Sequence, residues 1–346
     1  MKCNFLSSYE GKTILVTGAT GLIGQNLISH LLQSIPNVRV IAVSRSYYKL
    51  KTIFADFLTL GNIKLVEHDV IRPFDFLQEK VDFIFHAAGS QERRVVIKQP
   101  LDVIESNIYG VTNLLEYLRG QQDVAGHKGR LVLFSSVTVY GSSNSESDWV
   151  VQESESKSFG LLSDEMAPYS ESKRMSEVVS HAYARSYGVD VVICRLSTVY
   201  GFNLIPTETA FFEFIDKAIK GEVITIRDRF SPRRDNIYID DAISGLLACG
   251  AKGLCSEVYN VSSFGKKGNF LSVAEIAELV TRVSNEICQT DKSSVEYGND
   301  TARERGGVLL DNRRLESLGW KVKTSYQEGV RLVVEKYLAS STLTDP

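Results

Sequence analysis

Ile14-Leu15-Val16-Thr17-Gly18-Ala19-Thr20-Gly21-Leu22-Ile23-Gly24 reads as a strand, a glycine-rich turn and the start of a helix. Gly18 permits the tight turn, Gly21 lets the backbone approach a pyrophosphate, and Gly24 allows the helix to pack close to the strand. An anion then sits on the helix N-terminus. Because the strand precedes the glycines and the helix follows them, Gly18, Thr20, Gly21, Leu22, Ile23 and Gly24 are the candidate contacts to a dinucleotide.

Outward from this stretch, short β-rich runs alternate with helix-length segments. Thr13–Thr17, Val38–Val43, Ile63–Glu67, Val81–His86, Arg130–Ser135 and Asp190–Leu196 read as strands, several of them apolar at nearly every position. Such runs suit strands covered on both faces. Leu22–Gln33, Leu101–Leu118 and Tyr169–Tyr187 are the amphipathic segments between them. The rhythm predicts an α/β fold, a Rossmann-type doubly wound parallel sheet, followed by a smaller C-terminal α/β lobe. Residues 1–197 with 236–262 are expected to form the dinucleotide-binding domain. Residues 198–235 with 263–346 are expected to form the substrate lobe, and Ser142–Ser158 to form an exposed loop.

The chain has 346 residues, 43% hydrophobic and 23% charged, with a formal charge of −3. No basic tract alternates with aromatics, which argues against a nucleic-acid partner. Met1–Gly11 carries no apolar core of signal-peptide length, and no run approaches the roughly 20 apolar residues of a membrane span. A cytoplasmic protein with no membrane partner is expected. Cys3, Cys194, Cys249, Cys255 and Cys288 are scattered, as are the five histidines, and suggest neither a disulfide framework nor a metal site.

The second strand ends in Val43-Ser44-Arg45-Ser46, where an acidic residue would bind the ribose hydroxyls of NAD. Arg45 with Ser44 or Ser46 suits a 2′-phosphate, because guanidinium pairs with phosphate in a bidentate way. NADP(H) is therefore the preferred cofactor, with NAD(H) possible if Arg45 simply faces solvent. Asp69-Val70, after the third strand, suits the adenine amino group or a plain strand-end turn. Tyr169-Ser170-Glu171-Ser172-Lys173 places a phenol and an ammonium on one helix face, a proton-transfer unit suited to hydride chemistry.

His86-Ala87-Ala88-Gly89, Asn107-Ile108-Tyr109-Gly110, Ser135-Ser136-Val137-Thr138-Val139-Tyr140-Gly141, Tyr169–Lys173 and Arg195-Leu196-Ser197-Thr198-Val199-Tyr200-Gly201 follow the glycine turn in order. With this set the chain resembles the extended short-chain dehydrogenase/reductases, and more narrowly the nucleotide-sugar epimerase/dehydratase group, from Lys12 to about Tyr337. The resemblance implies that Tyr169 is the catalytic acid/base, that Lys173 orients the nicotinamide ribose and lowers the Tyr169 pKa, and that Ser136 is the catalytic hydroxyl. Ala87, Ala88 and Gly89 would let the backbone pass close to the dinucleotide, and Asn107 would tie adjacent strands. Arg234 would bind the diphosphate of a nucleotide-diphosphate sugar, with Arg303 or Arg305 as a second clamp or as solvated side chains. A homodimer through helices at about 101–119 and 169–187 is also implied.

Two departures narrow the reaction. Dehydratases and decarboxylases of this group usually carry an acid where this chain has Thr138, and relatives often have Asn where it has Thr198. Ser136, Thr138, Tyr169, Thr198, Arg234 and Arg303 form the expected substrate set. Missing that acid, the chain suits hydride and proton transfer at C4 of the sugar, as a 4-epimerase or a 4-keto-sugar reductase. Dehydration or decarboxylation through another acid is the alternative, and a non-catalytic NADP(H)-binding sensor or scaffold is an alternative of another class.

Overall fold

The structure, a computed structural model, describes residues 5–89, 91–141, 146–155, 161–205, 209–298 and 306–341. The first half runs β1 (Thr13–Thr17), α1 (Leu22–Ser34), β2 (Arg39–Ser44), α2 (Tyr47–Ile53), β3 (Ile63–Glu67), β4 (Phe83–His86), α3 (Arg93–Lys98), α4 (Pro100–Ala125) and β5 (Arg130–Ser136). It continues with β6 (Trp149–Val151), α5 (Ala167–Tyr187), β7 (Asp190–Leu196), β8 (Thr198–Tyr200), α6 (Ala210–Lys220), β9 (Val223–Ile226) and β10 (Arg234–Tyr238). The last elements are α7 (Ile239–Lys252), β11 (Val258–Val261), β12 (Phe270–Leu271), α8 (Val273–Cys288), β13 (Ser294–Tyr297), β14 (Val308–Leu310), α9 (Arg313–Ser317) and α10 (Tyr326–Ser341).

Seven strands form one parallel sheet in the order β11-β7-β5-β4-β1-β2-β3. Alternate side chains of each strand enter different cores, which is why the strands read as unbroken apolar runs. Ile14 and Val16 of β1 pack with Leu27, Ile28 and Leu31 of α1 and with Leu246 and Leu247 of α7. Leu15 points the other way, to Val111, Leu114, Leu115 and Leu118 of α4. The chain winds outward from β1 to β3 and then restarts on the other side at β4, so β1 and β4 flank the switch point. A crevice at the C-terminal ends of these strands is the ligand site of such sheets.

A second sheet runs β12-β10-β14-β6, with β8 pairing β10, and β9 pairs with β13 apart from it. The expected exposed loop over 142–158 is therefore corrected at Trp149–Val151, which pairs in parallel with β14. Val151 is drawn in because it is buried with Tyr140 and Leu310. The chain returns to the main sheet through α7 and β11. Helix α4 extends past the expected Leu118 because Gln121 hydrogen-bonds both the N–H and the carbonyl of Val81, at 2.7 and 2.9 Å.

Candidate active site

The glycine turn is demanded by packing at two of its three glycines. Gly18 has φ +65°, and a Cβ there would stand 2.6 Å from the carbonyl carbon and oxygen of Ala87. At Gly24 it would stand 2.3 Å from the Gly18 oxygen, so β1 and α1 approach too closely for any side chain. Gly21 differs: its backbone is extended, and the nearest atom to an added Cβ is the Gly18 oxygen at 3.4 Å. The protein itself leaves that space open. Gly21 caps α1 without a side-chain acceptor, so the first-turn N–H groups are left for an anion. The turn thus fits a dinucleotide pyrophosphate.

At the end of β2, the Thr20 and Ser44 hydroxyls lie 3.1 Å apart. Arg45 is exposed and has no carboxylate partner among the described residues. The parallel neighbour of Ser44 is Glu67, whose Oε2 accepts the Tyr47 N–H at 2.7 Å. Asp69 is half-buried, and its Oδ1 accepts the Ile71 N–H at 3.2 Å, which leaves its other oxygen for an adenine amino group. Val70 is buried, and its carbonyl anchors Asn113 of α4 at 2.9 Å. Ala87, Ala88 and Gly89 follow β4 at the switch point. The need for glycine at 89 comes from within the protein: φ is +131°, and a Cβ would stand 2.6 Å from Asn107 Oδ1 and 3.4 Å from Lys173 Nζ.

Ser136 ends β5, and Tyr169 and Lys173 lie on the first turns of α5, the elements that the parallel sheet brings side by side. Ser136 stands beside Tyr169, where its hydroxyl favours the phenolate. Thr138, in the turn after β5, donates its Oγ1 to Ser136 Oγ at 3.1 Å and its N–H at 3.3 Å. Lys173 Nζ donates to the Phe134 carbonyl at 2.9 Å and lies 6.0 Å from the Tyr169 ring centre. Burial raises the Tyr169 pKa above its ordinary value, against the opposing Ser136 hydrogen bond. Desolvation of the phenolate is the larger of these two effects in the protein alone. Burial also draws Lys173 down to about 8, which Glu177 opposes.

Asn107 is buried on α4 and donates Nδ2 to Ser172 Oγ at 2.9 Å, while its carbonyl accepts Ser176 Oγ at 2.9 Å. It ties two helices, not two strands. Behind Lys173, the carboxylate of Glu177 meets Arg195 and Ser135. The sequence carried a signal for Glu177, its position one turn after Lys173, which went unread because surface helices carry many such acids. His86, whose Nδ1 meets Thr17 Oγ1 at 2.7 Å, is held neutral, its pKa pulled by burial to about 3.

In the second sheet, Arg234 opens β10 with its side chain exposed and without a carboxylate partner among the described residues, a guanidinium available to a diphosphate. Asp235 beside it is buried and accepts from Ser263 Oγ and the Leu310 N–H, so it organises the strand ends. Thr198 is half-buried at the start of β8, in register with Asn236. Arg303 and Arg305 lie outside the described residues. Arg93 forms an ion pair with Glu165 at the surface. Among the described residues no cluster of His, Cys, Asp and Glu could hold a metal ion, and no helix is long and apolar enough to cross a membrane.

The model of the NAD dependent epimerase/dehydratase family matches residues 14–262. A trifunctional UDP-glucose 4,6-dehydratase/UDP-4-keto-6-deoxy-D-glucose 3,5-epimerase/UDP-4-keto-L-rhamnose-reductase of Arabidopsis thaliana is 27% identical over 96% of this chain and 48% of its own length. The chain thus spans about half the length of that relative. A UDP-glucuronic acid decarboxylase of the same plant is 28% identical over 94% of this chain and 88% of its own. Among solved structures, UDP-glucose 4-epimerase from Thermotoga maritima shares the fold with a TM-score of 0.76 at 23% identity, covering 95% of this chain and 99% of that one. A dTDP-glucose 4,6-dehydratase from Streptomyces venezuelae, with NAD bound, does so with a TM-score of 0.77 at 24% identity, covering 95% and 98%. With the glycine turn, the strand order of the parallel sheet and the matched span in agreement, the chain belongs to the NAD dependent epimerase/dehydratase family.

Proposed function

We propose that the chain transfers hydride at C4 of a nucleotide-diphosphate sugar, as a 4-epimerase or a 4-keto-sugar reductase, with NADP(H) preferred over NAD(H). The observation that carries this reading is the pair of hydrogen-bonded hydroxyls, Thr138 and Ser136, set beside Tyr169 in a turn that contains no carboxylate. Removing the C5 proton, as elimination of water requires, needs a base at that turn. Transfer at C4 needs only the relay.

A nicotinamide held by the glycine turn and Lys173 would supply the hydride chemistry at C4. Tyr169 is a phenol in the protein alone, the form that donates a proton to a C4 ketone. Ser136 bridges the sugar oxygen and the phenol, and Thr138 holds the Ser136 oxygen in place. Lys173 spends one donor on the Phe134 carbonyl and has others for the ribose hydroxyls. Arg234 pairs with the substrate diphosphate, with Arg303 as the second clamp. Arg45, with the Thr20 and Ser44 hydroxyls, supports a 2′-phosphate. Exposed Leu101 and Tyr109 on α4 and Met175 and Val178 on α5 support a homodimer through these helices.

Incubation with UDP-, dTDP-, CDP- and GDP-sugars and their 4-keto forms, with either cofactor, tests the reading by mass. Gain of two hydrogens marks reduction, and an unchanged mass with a new sugar NMR spectrum marks epimerisation. Loss of water or carbon dioxide would instead favour the chemistries named for the Arabidopsis relatives.

A further inference from the structure

Glu177 lies one helical turn beyond Lys173 on the same face of α5 and is buried. Its carboxylate is held from two strands. Arg195 of β7 donates Nε to Oε1 at 3.0 Å and Nη2 to Oε2 at 2.8 Å, and Ser135 of β5 donates its hydroxyl to Oε1. The residue before Ser135 is Phe134, whose carbonyl takes the Lys173 ammonium at 2.9 Å. Consecutive residues of one strand therefore anchor consecutive turns of the helix, one through the cation and one through the anion. Arg195 extends the chain of contacts: Nη1 donates to the Glu153 carbonyl at 3.1 Å, and the guanidinium lies 4.6 Å over the Tyr140 ring.

A buried ion pair is a poor source of stability, because desolvation of the two charges offsets their attraction and an apolar pair would serve the fold as well. Its placement points to another use. We infer that Glu177 is the positioning residue of the proton relay, its carboxylate pinning to β5 and β7 the turn of α5 that follows Lys173. This inference rests on Lys173 acting in the relay as read above. The groups around the Lys173 ammonium are Tyr169 and Glu177 from α5, neutral His86 from β4, the Phe134 carbonyl from β5 and Asn107 from α4. Arg195 from β7 stands behind Glu177. Glu177 is thus the only anion facing the ammonium among the described residues, and it opposes the downward pull of burial on Lys173.

The test is the titration of Lys173 itself, followed by carbon-13 NMR of the lysine ε-carbons in the full chain and assigned with Lys173→Arg. In Glu177→Gln the Lys173 midpoint should fall by about one pH unit or more, and Glu177→Asp should restore most of it. Glu177→Gln with Arg195→Met removes the guanidinium left unpaired by the single change, and should show a smaller fall in the same direction if the single variant does not fold. The alkaline limb of turnover should move with the midpoint. A folded double variant in which Lys173 titrates at the parental pH overturns the role of Glu177. A parent that converts no nucleotide sugar overturns the functional reading instead, while the NMR titration still decides the role of Glu177.

Discussion

Replacing Tyr169 by Phe removes one oxygen from a side chain that is 5% exposed, and the consequences for stability and for turnover separate cleanly. The ring keeps its packing with Val96 and Val103. Ser136 loses one partner but keeps the Thr138 hydroxyl and N–H at 3.1 and 3.3 Å, so no buried polar atom is orphaned. A change in stability within about 1 kcal/mol is expected. Lys173 keeps its bond to the Phe134 carbonyl, so the ribose contact and cofactor affinity should persist. On the proposed reading, turnover loses the group that gives or takes the proton of the C4 oxygen, an effect of about 10²–10⁴-fold, or about 3–5 kcal/mol of barrier. The assay is single turnover on the sugar found in the mass screen, with cofactor affinity from nucleotide fluorescence and stability from thermal melting. A variant that binds cofactor normally and retains more than about a tenth of the parental rate would refute the role of Tyr169 and leave Ser136 as the proton carrier.

Gly24→Ala drives a methyl to 2.3 Å from the Gly18 oxygen and should lower the melting temperature and cofactor affinity together. Gly21→Ala meets only the Gly18 oxygen at 3.4 Å, so it should melt like the parent yet bind cofactor weakly; equal losses in melting temperature would show that glycine at 21 serves the fold. Arg45→Ala removes a charge-assisted contact worth about 1.5–3 kcal/mol, so NADPH affinity should fall about 10–100-fold while NADH affinity holds. Fluorescence titrations that show the same loss for both cofactors would remove the 2′-phosphate reading. His86 titrates near 3 when folded and near 6.5 when unfolded. The unfolded state binds more protons across that window, so stability should fall as pH drops from about 6.5 toward about 3. His86→Asn should flatten that limb in denaturant melts at stepped pH, and an unchanged slope would place the acid sensitivity elsewhere.

Most of the main sheet was legible because its strands obey a rule that sequence carries directly. A strand covered on both faces must be apolar at nearly every position, and Leu15 and Val16 show why, entering opposite cores. The glycine turn was legible for a similar reason, since its backbone approach excludes a Cβ at Gly18 and Gly24. Trp149–Val151 was hidden because three residues among serines and acids carry no periodicity, and their pairing depends on β14, more than 150 residues along. Asn107 was assigned to strands because its partners, Ser172 and Ser176, are side chains of a helix that only the fold brings beside it. The enclosure of Tyr169 was hidden for a related reason. Spacing shows that a lysine is near, but the burial of the phenol comes from Val96, Val103 and the rest of the enclosing structure.

The buried face of α5 is polar, with Tyr169, Ser172, Lys173, Ser176, Glu177 and Ser180 all withdrawn from solvent. Serines at this spacing let α4 approach closely, and the hydrogen bonds of Ser172 and Ser176 with Asn107 replace the lost apolar contact. Such a helix gains little from burial of hydrocarbon, so its position depends on directional bonds. Those bonds fix the side chains of Lys173 and Glu177 more tightly than an apolar stripe would, since a hydrogen bond weakens steeply with angle. The same enclosure raises Tyr169 and lowers Lys173, so it disfavours the charged form of each. A phenolate beside an ammonium is therefore not the resting state of this protein. On the proposed reading, a nicotinamide cation held at the switch point would favour the phenolate by adding positive charge. The enclosed phenol by itself is suited to donate a proton, and it would become an acceptor only with the oxidised cofactor in place.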